Sequence, residues 1–328
     1  MSDKVINKIS IDELIVGINS GDRLSLSKAI TLIESKRQSD QVDAASLIDK
    51  VIAQKHSSTR LGITGVPGVG KSTFIEAFGL HAIASGHMVA VLSVDPSSSL
   101  SKGSILGDKT RMTKLSQHER AFIRPSPAGD TYGGVAGKTR ESILLCEAAG
   151  FDYIIVETVG VGQAEVALKD MVDFFLVLML AGGGDELQGI KRGIMEMADA
   201  IGINKSDGEN IERASIAKTN FENALHYFPK HQSGWQVPVE TCSALTGDGI
   251  ESIWTHINHF IRVTKVDGWH DLNRQQQNIH WMNQIIDMKI REDFYRNPET
   301  KDQLLILTEA VKKGDISVRS AINKIFNT

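Results

Sequence analysis

The sequence predicts an α/β fold, a doubly wound and mainly parallel sheet with helical extensions at both ends, and three observations carry that expectation. Short apolar runs alternate with helical stretches from Leu61 to Ile261. One of them, Leu61-Gly62-Ile63-Thr64, runs straight into Gly65-Val66-Pro67-Gly68-Val69-Gly70-Lys71-Ser72, after which a helical pattern starts at Lys71. The longest run, Phe174 to Ala181, is flanked by Asp170, Asp173 and Asp185 and falls far short of the ~20 residues of a membrane helix, so it reads as a buried strand.

Residues 1–57 read as an N-terminal helical region. Ser10 and Glu13 form a possible capping box ahead of Ile11, Leu14, Ile15 and Ile18, and Gly17 and Gly21 are expected to break that helix. A second helix carries Leu26, Ala29, Ile30 and Ile33 on one face, and a third carries Ala44, Leu47, Ile48 and Val51. These stripes are packing faces.

Residues 58–266 read as the sheet domain. Expected strands are Leu61 to Thr64, Met88 to Val94, Ala121 to Ile123, Tyr153 to Val156, Phe174 to Leu180, Ala200 to Ile203 and Val237 to Cys242. In such sheets ligands sit beyond the carboxyl ends of the strands. Ile250, Ile253, Trp254, Ile257, Phe260 and Ile261 mark the last helix of this domain. After Asp267-Gly268 the strand pattern stops, and 267–328 reads as a helical region too small for a large core, expected to pack on the main domain or on another copy.

The 328 residues are 41% hydrophobic and 23% charged, with a formal charge of -4, so no global positive charge is present to hold nucleic acid or an anionic membrane. Cys146 and Cys242 lack a nearby Cys/His cluster, which points away from a disulfide framework or zinc. A reducing cytoplasm and no export signal are the matching expectations.

The glycine-rich turn has the P-loop spacing. The segment Gly65 through Thr73 would wrap phosphates with its backbone N–H groups, Pro67 having none, while Lys71 would reach the β/γ-phosphates and Ser72 would offer its hydroxyl to Mg²⁺. A dinucleotide fingerprint fails, because a third glycine or alanine would have to stand at Thr73. Downstream, Asn204-Lys205-Ser206-Asp207 follows Ile201-Gly202-Ile203 and reads as a guanine clamp. Its Asp207 carboxylate can accept both the N1 hydrogen and the exocyclic amino group of guanine, while adenine would leave it unpaired. Lys205 would lie across the base, Asn204 would tie the loop together, and Ser243-Ala244-Leu245 would complete the pocket with backbone donors.

Three acids compete for the metal side: Asp95, Asp108 and Glu157. Mg²⁺ takes only one or two protein ligands besides phosphate, so not all can join Ser72. The expected order places Asp95 and Glu157 as direct or water-mediated ligands, with Asp108 engaging in the triphosphate state. Asp95 before Pro96 also fits a turn former, and Asp108 a surface loop acid. Glu157-Thr158-Val159-Gly160 stands where small regulatory GTPases carry Asp-x-x-Gly, and Gly160 would donate its N–H to the γ-phosphate. Those proteins orient water with a glutamine after that glycine; here Val161 follows and the nearest is Gln163, so slow unassisted hydrolysis is expected. Two glycine-rich stretches, Arg124 to Arg140 and Gly182 to Gly193, have the composition of hinged segments, with Asp185, Gln188, Lys191 and Arg192 as candidate contacts to nucleotide or partner.

Together with Ile30-Thr31-Leu32-Ile33-Glu34-Ser35, Val94-Asp95-Pro96-Ser97-Ser98, Gly107-Asp108-Lys109-Thr110-Arg111-Met112 and Arg124-Pro125-Ser126-Pro127, these motifs resemble the MeaB/ArgK family of P-loop GTPases over nearly the whole chain. That group includes the methylmalonic aciduria type A proteins. The resemblance implies a homodimeric GTPase, using GTP/GDP and Mg²⁺, that chaperones adenosylcobalamin-dependent methylmalonyl-CoA mutase. It implies gating of cofactor loading, protection or reactivation of the mutase, and turnover stimulated by that partner. Its candidate catalytic residues are Lys71, Asp95, Asp108, Glu157 and Lys191; Asn204, Lys205 and Asp207 would hold guanine, and the C-terminal helices would help form the dimer. Two other readings stand beside it: a kinase acting on a transport-system protein, as an older ArgK-type label suggests, and a GTPase assisting another metalloenzyme, for which the ten histidines are scattered.

Overall fold

The computed structural model describes residues 10–54, 56–94, 112–126, 132–158, 164–181, 192–229 and 231–326. Three helices come first: α1 (Ile11–Asn19), α2 (Arg23–Glu34) and α3 (Gln38–Ile52). The capping box at Ser10 forms in full, each partner of the pair satisfying an amide of the other. The expected break at Gly17 does not occur. Gly17 lies inside α1, where an added Cβ would fall 2.2 Å from Ser25 Oγ, so the residue serves close approach to α2, and the chain turns instead at Gly21, with φ +76°.

The described elements then run β1 (Thr59–Gly65), α4 (Lys71–Ala84), β2 (Val89–Val94), α5 (Thr113–Gln117), β3 (Ala121–Ser126), α6 (Tyr132–Ala148), β4 (Tyr153–Thr158), α7 (Ala164–Lys169), β5 (Phe174–Leu180), α8 (Arg192–Met197), β6 (Ala200–Asn204), α9 (Ile211–Leu225), β7 (Val239–Thr241) and α10 (Ile250–Val266). Every strand pairing is parallel, in the order β3-β2-β4-β1-β5-β6-β7. All seven expected strands form. β4 extends two residues past its expected end, so Glu157 lies within the strand, and β7 shrinks to three residues after Pro238, which has no N–H for a ladder.

Two hydrophobic layers sandwich the sheet. Leu61, Ile63, Val91 and Ile155 face α4, α5 and α10, whereas Ala90, Leu92, Ile154 and Val156 face α1–α3 and α6–α9. The N-terminal helices therefore share the core of the sheet; Leu26, Ile30, Ile33 and Leu47 are fully buried in it. β1 lies at the centre, where β4 on one side and β5 on the other mark the reversal of winding and open a crevice at the carboxyl edge.

The amino edge is closed by buried ion pairs. Asp173, just before β5, accepts from the Arg60 N–H at 2.8 Å and from Arg274 Nε and Nη2 at 2.7 Å each. Asp199, just before β6, accepts from Lys169 Nζ at 2.6 Å and the Phe175 N–H at 2.7 Å. Cys146 and Cys242 are free, and burial pushes both thiols up, Cys242 to about 12.

The chain divides into two compact units, Met1–Gln277 and Asn278–Thr328. Helix α11 (Trp269–Arg296) contributes its first turns to the larger unit. The smaller unit comprises the rest of α11 with α12 (Pro298–Lys313) and α13 (Val318–Phe326), where the Phe294 and Phe326 rings stack at 5.2 Å. It leaves Met282, Ile286, Ile290, Leu305, Ile306 and Phe326 exposed. Among the described residues no helix is long and apolar enough to cross a membrane.

Candidate active site

The glycine-rich turn joins β1 to α4 at the carboxyl edge. Val69 is fully buried and roots the turn, while Pro67 and Gly68 face solvent. Gly65 passes so near β5 that a Cβ would lie 2.4 Å from the Leu178 carbonyl oxygen. Gly70 takes φ +93° as the residue preceding α4, and no side chain caps that helix, whose first-turn N–H groups and positive dipole end face the cradle. Such a helix start favours an anion. Lys71 folds back over the turn, its ammonium donating to the Gly65 carbonyl at 2.7 Å. Burial lowers the pKa of Lys71, opposed by the charges of Glu157 and Glu165. Ser72 is half-buried and Thr73 exposed in the same first turn.

The second loop begins where β6 ends. Asn204 is 1% exposed, and its Nδ2 donates to the Val69 carbonyl at 2.8 Å while its Oδ1 accepts from the Ala244 N–H at 3.1 Å. A single amide thus joins the phosphate loop to both segments expected to hold a base. Lys205 is the one non-glycine residue with positive φ among the described residues, at +61°, a conformation that surrounding structure must enforce. Its stem comes over the turn, with Cε 3.9 Å from where a Gly70 Cβ would be. Ser243 is buried, and its hydroxyl donates to Asp207 Oδ2 while accepting from the Thr246 N–H at 3.2 Å. The sequence assigned Ser243 a backbone role; its side chain also orients the carboxylate. Ala244 is half-buried and Leu245 is 81% exposed.

The family model for methylmalonyl-CoA mutase-associated GTPase MeaB matches residues 26–299, which span both loops and the whole sheet. The chain belongs to the MeaB family. A "Putative GTPase" of Caulobacter vibrioides is 46% identical over 98% of both chains, and the "GTPase ArgK" of Escherichia coli is 44% identical over 98% of this chain and 97% of that one. The "Methylmalonic aciduria type A homolog, mitochondrial" of mouse is 42% identical over 94% of this chain and 76% of its own. A crystal structure of "LAO/AO transport system kinase" superposes with a TM-score of 0.79 at 38% identity, covering 99% of both chains. The P-loop GTPase fold expected from the sequence is the fold of this MeaB-family GTPase.

At the end of β4, Glu157, which the sequence offers as a metal ligand, is 6% exposed and accepts from Ser93 Oγ at 2.7 Å. Of the residues the sequence offers to a metal, Ser72 and Glu157 are described; a hydroxyl and a carboxylate are hard oxygens of the kind Mg²⁺ takes beside phosphate, and the Lys71 ammonium feels the Glu157 charge. Among the described residues no group of three or more His, Cys, Asp or Glu could hold a metal. Asp95, Asp108, Gly160, Val161, Gln163 and the stretch from Gly182 to Lys191 lie outside the described residues.

Sequence reasoning missed three buried hydroxyls beside the site. Besides Ser93, Thr64 and Thr158 share a hydrogen bond at 3.0 Å between the ends of β1 and β4. Only Ser93 carries a signal in the sequence, as the one hydroxyl residue in an otherwise apolar strand; Thr64 shares β1 with Arg60, and Thr158 follows Glu157 in β4. Spacing alone marks Gly70 in the sequence, but a Cβ there would also sit 2.9 Å from Asn204 Nδ2. Gly70→Ala is therefore expected to incur ~1–2 kcal/mol of backbone strain and to displace the Asn204 amide, weakening GTP binding about 10-fold or more. Equilibrium binding of a fluorescent GTP analogue checks it, and unchanged affinity would contradict the account.

Proposed function

We propose that this MeaB-family protein is a GTP-binding and GTP-hydrolysing chaperone of an adenosylcobalamin-dependent methylmalonyl-CoA mutase. It gates cofactor loading and protects or reactivates the mutase. The observation that carries the nucleotide part is Asn204, whose two hydrogen bonds make the base loop and the phosphate cradle one piece. The mutase part is supported by the family's name and by the mouse relative's.

In this reading the α4 N–H groups and Lys71 bind the triphosphate, with Gly65 through Thr73 around it. Asp207, steadied by Ser243, takes the guanine edge, and Lys205 covers the base beside Ala244 and Leu245. Ser72 and Glu157, with Asp95 or Asp108, would hold Mg²⁺, which when bound offsets the negative charge that develops on the phosphates during cleavage. Gly160 would donate to the γ-phosphate, and Lys191 couples nucleotide state to the partner. Hydrolysis is slow alone, because Val161 stands where a water-orienting glutamine would follow Gly160. The exposed apolar side chains of the smaller unit support a homodimer through the C-terminal helices. Two free buried thiols suit a reducing cytoplasm.

The deciding experiment measures GTP and ATP turnover with and without purified methylmalonyl-CoA mutase, with Lys71→Ala as the blank. Slow GTP-selective turnover that the mutase accelerates is the expected result, with Lys71→Ala lowering it by about 10²–10³-fold. Turnover indifferent to the mutase would point to another client. A phosphorylated transport protein would favour the kinase reading, which the name of the superposed structure keeps in view.

A further inference from the structure

Strand β2 reads Val-Ala-Val-Leu-Ser-Val, and Ser93 is the one polar side chain in it. It is 2% exposed. A hydroxyl buried without a partner costs ~1–3 kcal/mol, so a serine in a strand at the heart of the sheet calls for a compensating bond. Alternation places Val89, Val91 and Ser93 on the α4 side, the side shared by Ile155 and Glu157 of β4. Ser93 and Glu157 stand opposite one another in the ladder, and Ser93 Oγ donates to Glu157 Oε1 at 2.7 Å. On the other side of the sheet the next residue, Thr158, is bonded to Thr64, which immediately precedes the phosphate turn. The end of β4 is thus tied by a hydroxyl on each face, one to β2 and one to β1.

From this geometry we propose that Ser93 is a positioning residue that acts through Glu157. Its hydroxyl holds the carboxylate in one rotamer at the phosphate cradle, so that no ordering of that side chain is needed when a divalent cation binds with the nucleotide. A hydrogen bond from a hydroxyl to a carboxylate is charge-assisted and directional, and partners of this kind behind a metal-binding carboxylate are worth about 10–100-fold in metal affinity. The inference rests on the reading that places Glu157 on the metal side.

The test is Mn²⁺ binding to the GDP-bound full-length protein, followed by electron paramagnetic resonance, in the wild type, Ser93→Ala, Glu157→Gln and the double variant. Metal-free GDP affinity and thermal melting are measured beside it. Ser93→Ala is expected to weaken Mn²⁺ binding about 10-fold while metal-free GDP affinity holds. In the Glu157→Gln background, Ser93→Ala is expected to add nothing, because the hydroxyl acts through the carboxylate. A lowered melting temperature with unchanged Mn²⁺ affinity would make Ser93 a packing residue and overturn the inference, as would additive losses in the double variant. If Glu157→Gln itself leaves Mn²⁺ binding intact, the metal-side reading of Glu157 fails first and takes the inference with it.

Discussion

Asp207→Asn is expected to lower GTP affinity by about 10²–10⁴-fold and to raise the affinity for xanthosine triphosphate above that for GTP. The carboxylate offers only acceptors, and guanine presents two donors on one edge, N1–H and the exocyclic amino group. Each such charge-assisted bond is worth ~1.5–3 kcal/mol, and the amide would turn one of the two into a clash of donor with donor. Xanthine carries a carbonyl where guanine carries the amino group, so the same amide N–H finds an acceptor. The substitution keeps size and shape, and Ser243, which donates its hydroxyl to Asp207 Oδ2, can donate to an amide oxygen as well. The loop should therefore survive. Competition binding of GTP, xanthosine triphosphate and ATP reads the result, with ATP remaining poor throughout. Wild-type protein that binds ATP as tightly as GTP would remove the basis for the guanine clamp.

Arg274→Ala is expected to cost about 3–5 kcal/mol of stability, the penalty for leaving a buried charge without its partner. Asp173 is 1% exposed and takes two hydrogen bonds from the Arg274 guanidinium, which also donates to the Ser58 carbonyl at 3.0 Å. Arg60 holds Glu147 through Nε at 2.8 Å and Nη2 at 2.9 Å in the same network. Burial alone would raise the Asp173 carboxyl, but the charge and hydrogen bonds of Arg274, helped by His270 and Arg60, hold it well below the usual carboxylate range.

A depressed native pKa means that the unfolded chain takes up the proton first. The pair's contribution is therefore complete above about pH 4 and drains away as pH falls below it. In Arg274→Ala the main compensation is gone and burial drives the carboxyl upward, so acidification relieves the buried charge. The stability gap between variant and wild type should accordingly be wide at pH 7 and narrower at pH 4.5. Urea unfolding at the two pH values checks both size and sign, and a gap that widens in acid would contradict the assignment of the charge to Asp173.

The parts of this protein legible from the chain alone are those that local pattern encodes. Apolar runs of strand length announced all seven strands, because a strand covered on both faces is apolar for most of its length. The segment Gly65 to Ser72 and the segment Asn204 to Asp207 announced themselves by residue type and spacing, and the fold sets both at the carboxyl edge. Gly17 shows where local reasoning fails: glycine lowers helix propensity, but here it stays helical because the neighbouring α2 leaves no room for a side chain.

What tertiary structure alone decided is which distant residues meet. The strand order puts β4 between β2 and β1, and only that insertion brings Ser93 to Glu157, 64 positions away, and Thr64 to Thr158, 94 away. Asn204 reaches Val69 across 135 positions, and Arg274 reaches Asp173 across 101. Periodicity records which face of an element is buried, because burial selects residue type one position at a time. It does not record the neighbour on that face, because a buried serine, asparagine or aspartate shows the same letter whatever partner satisfies it.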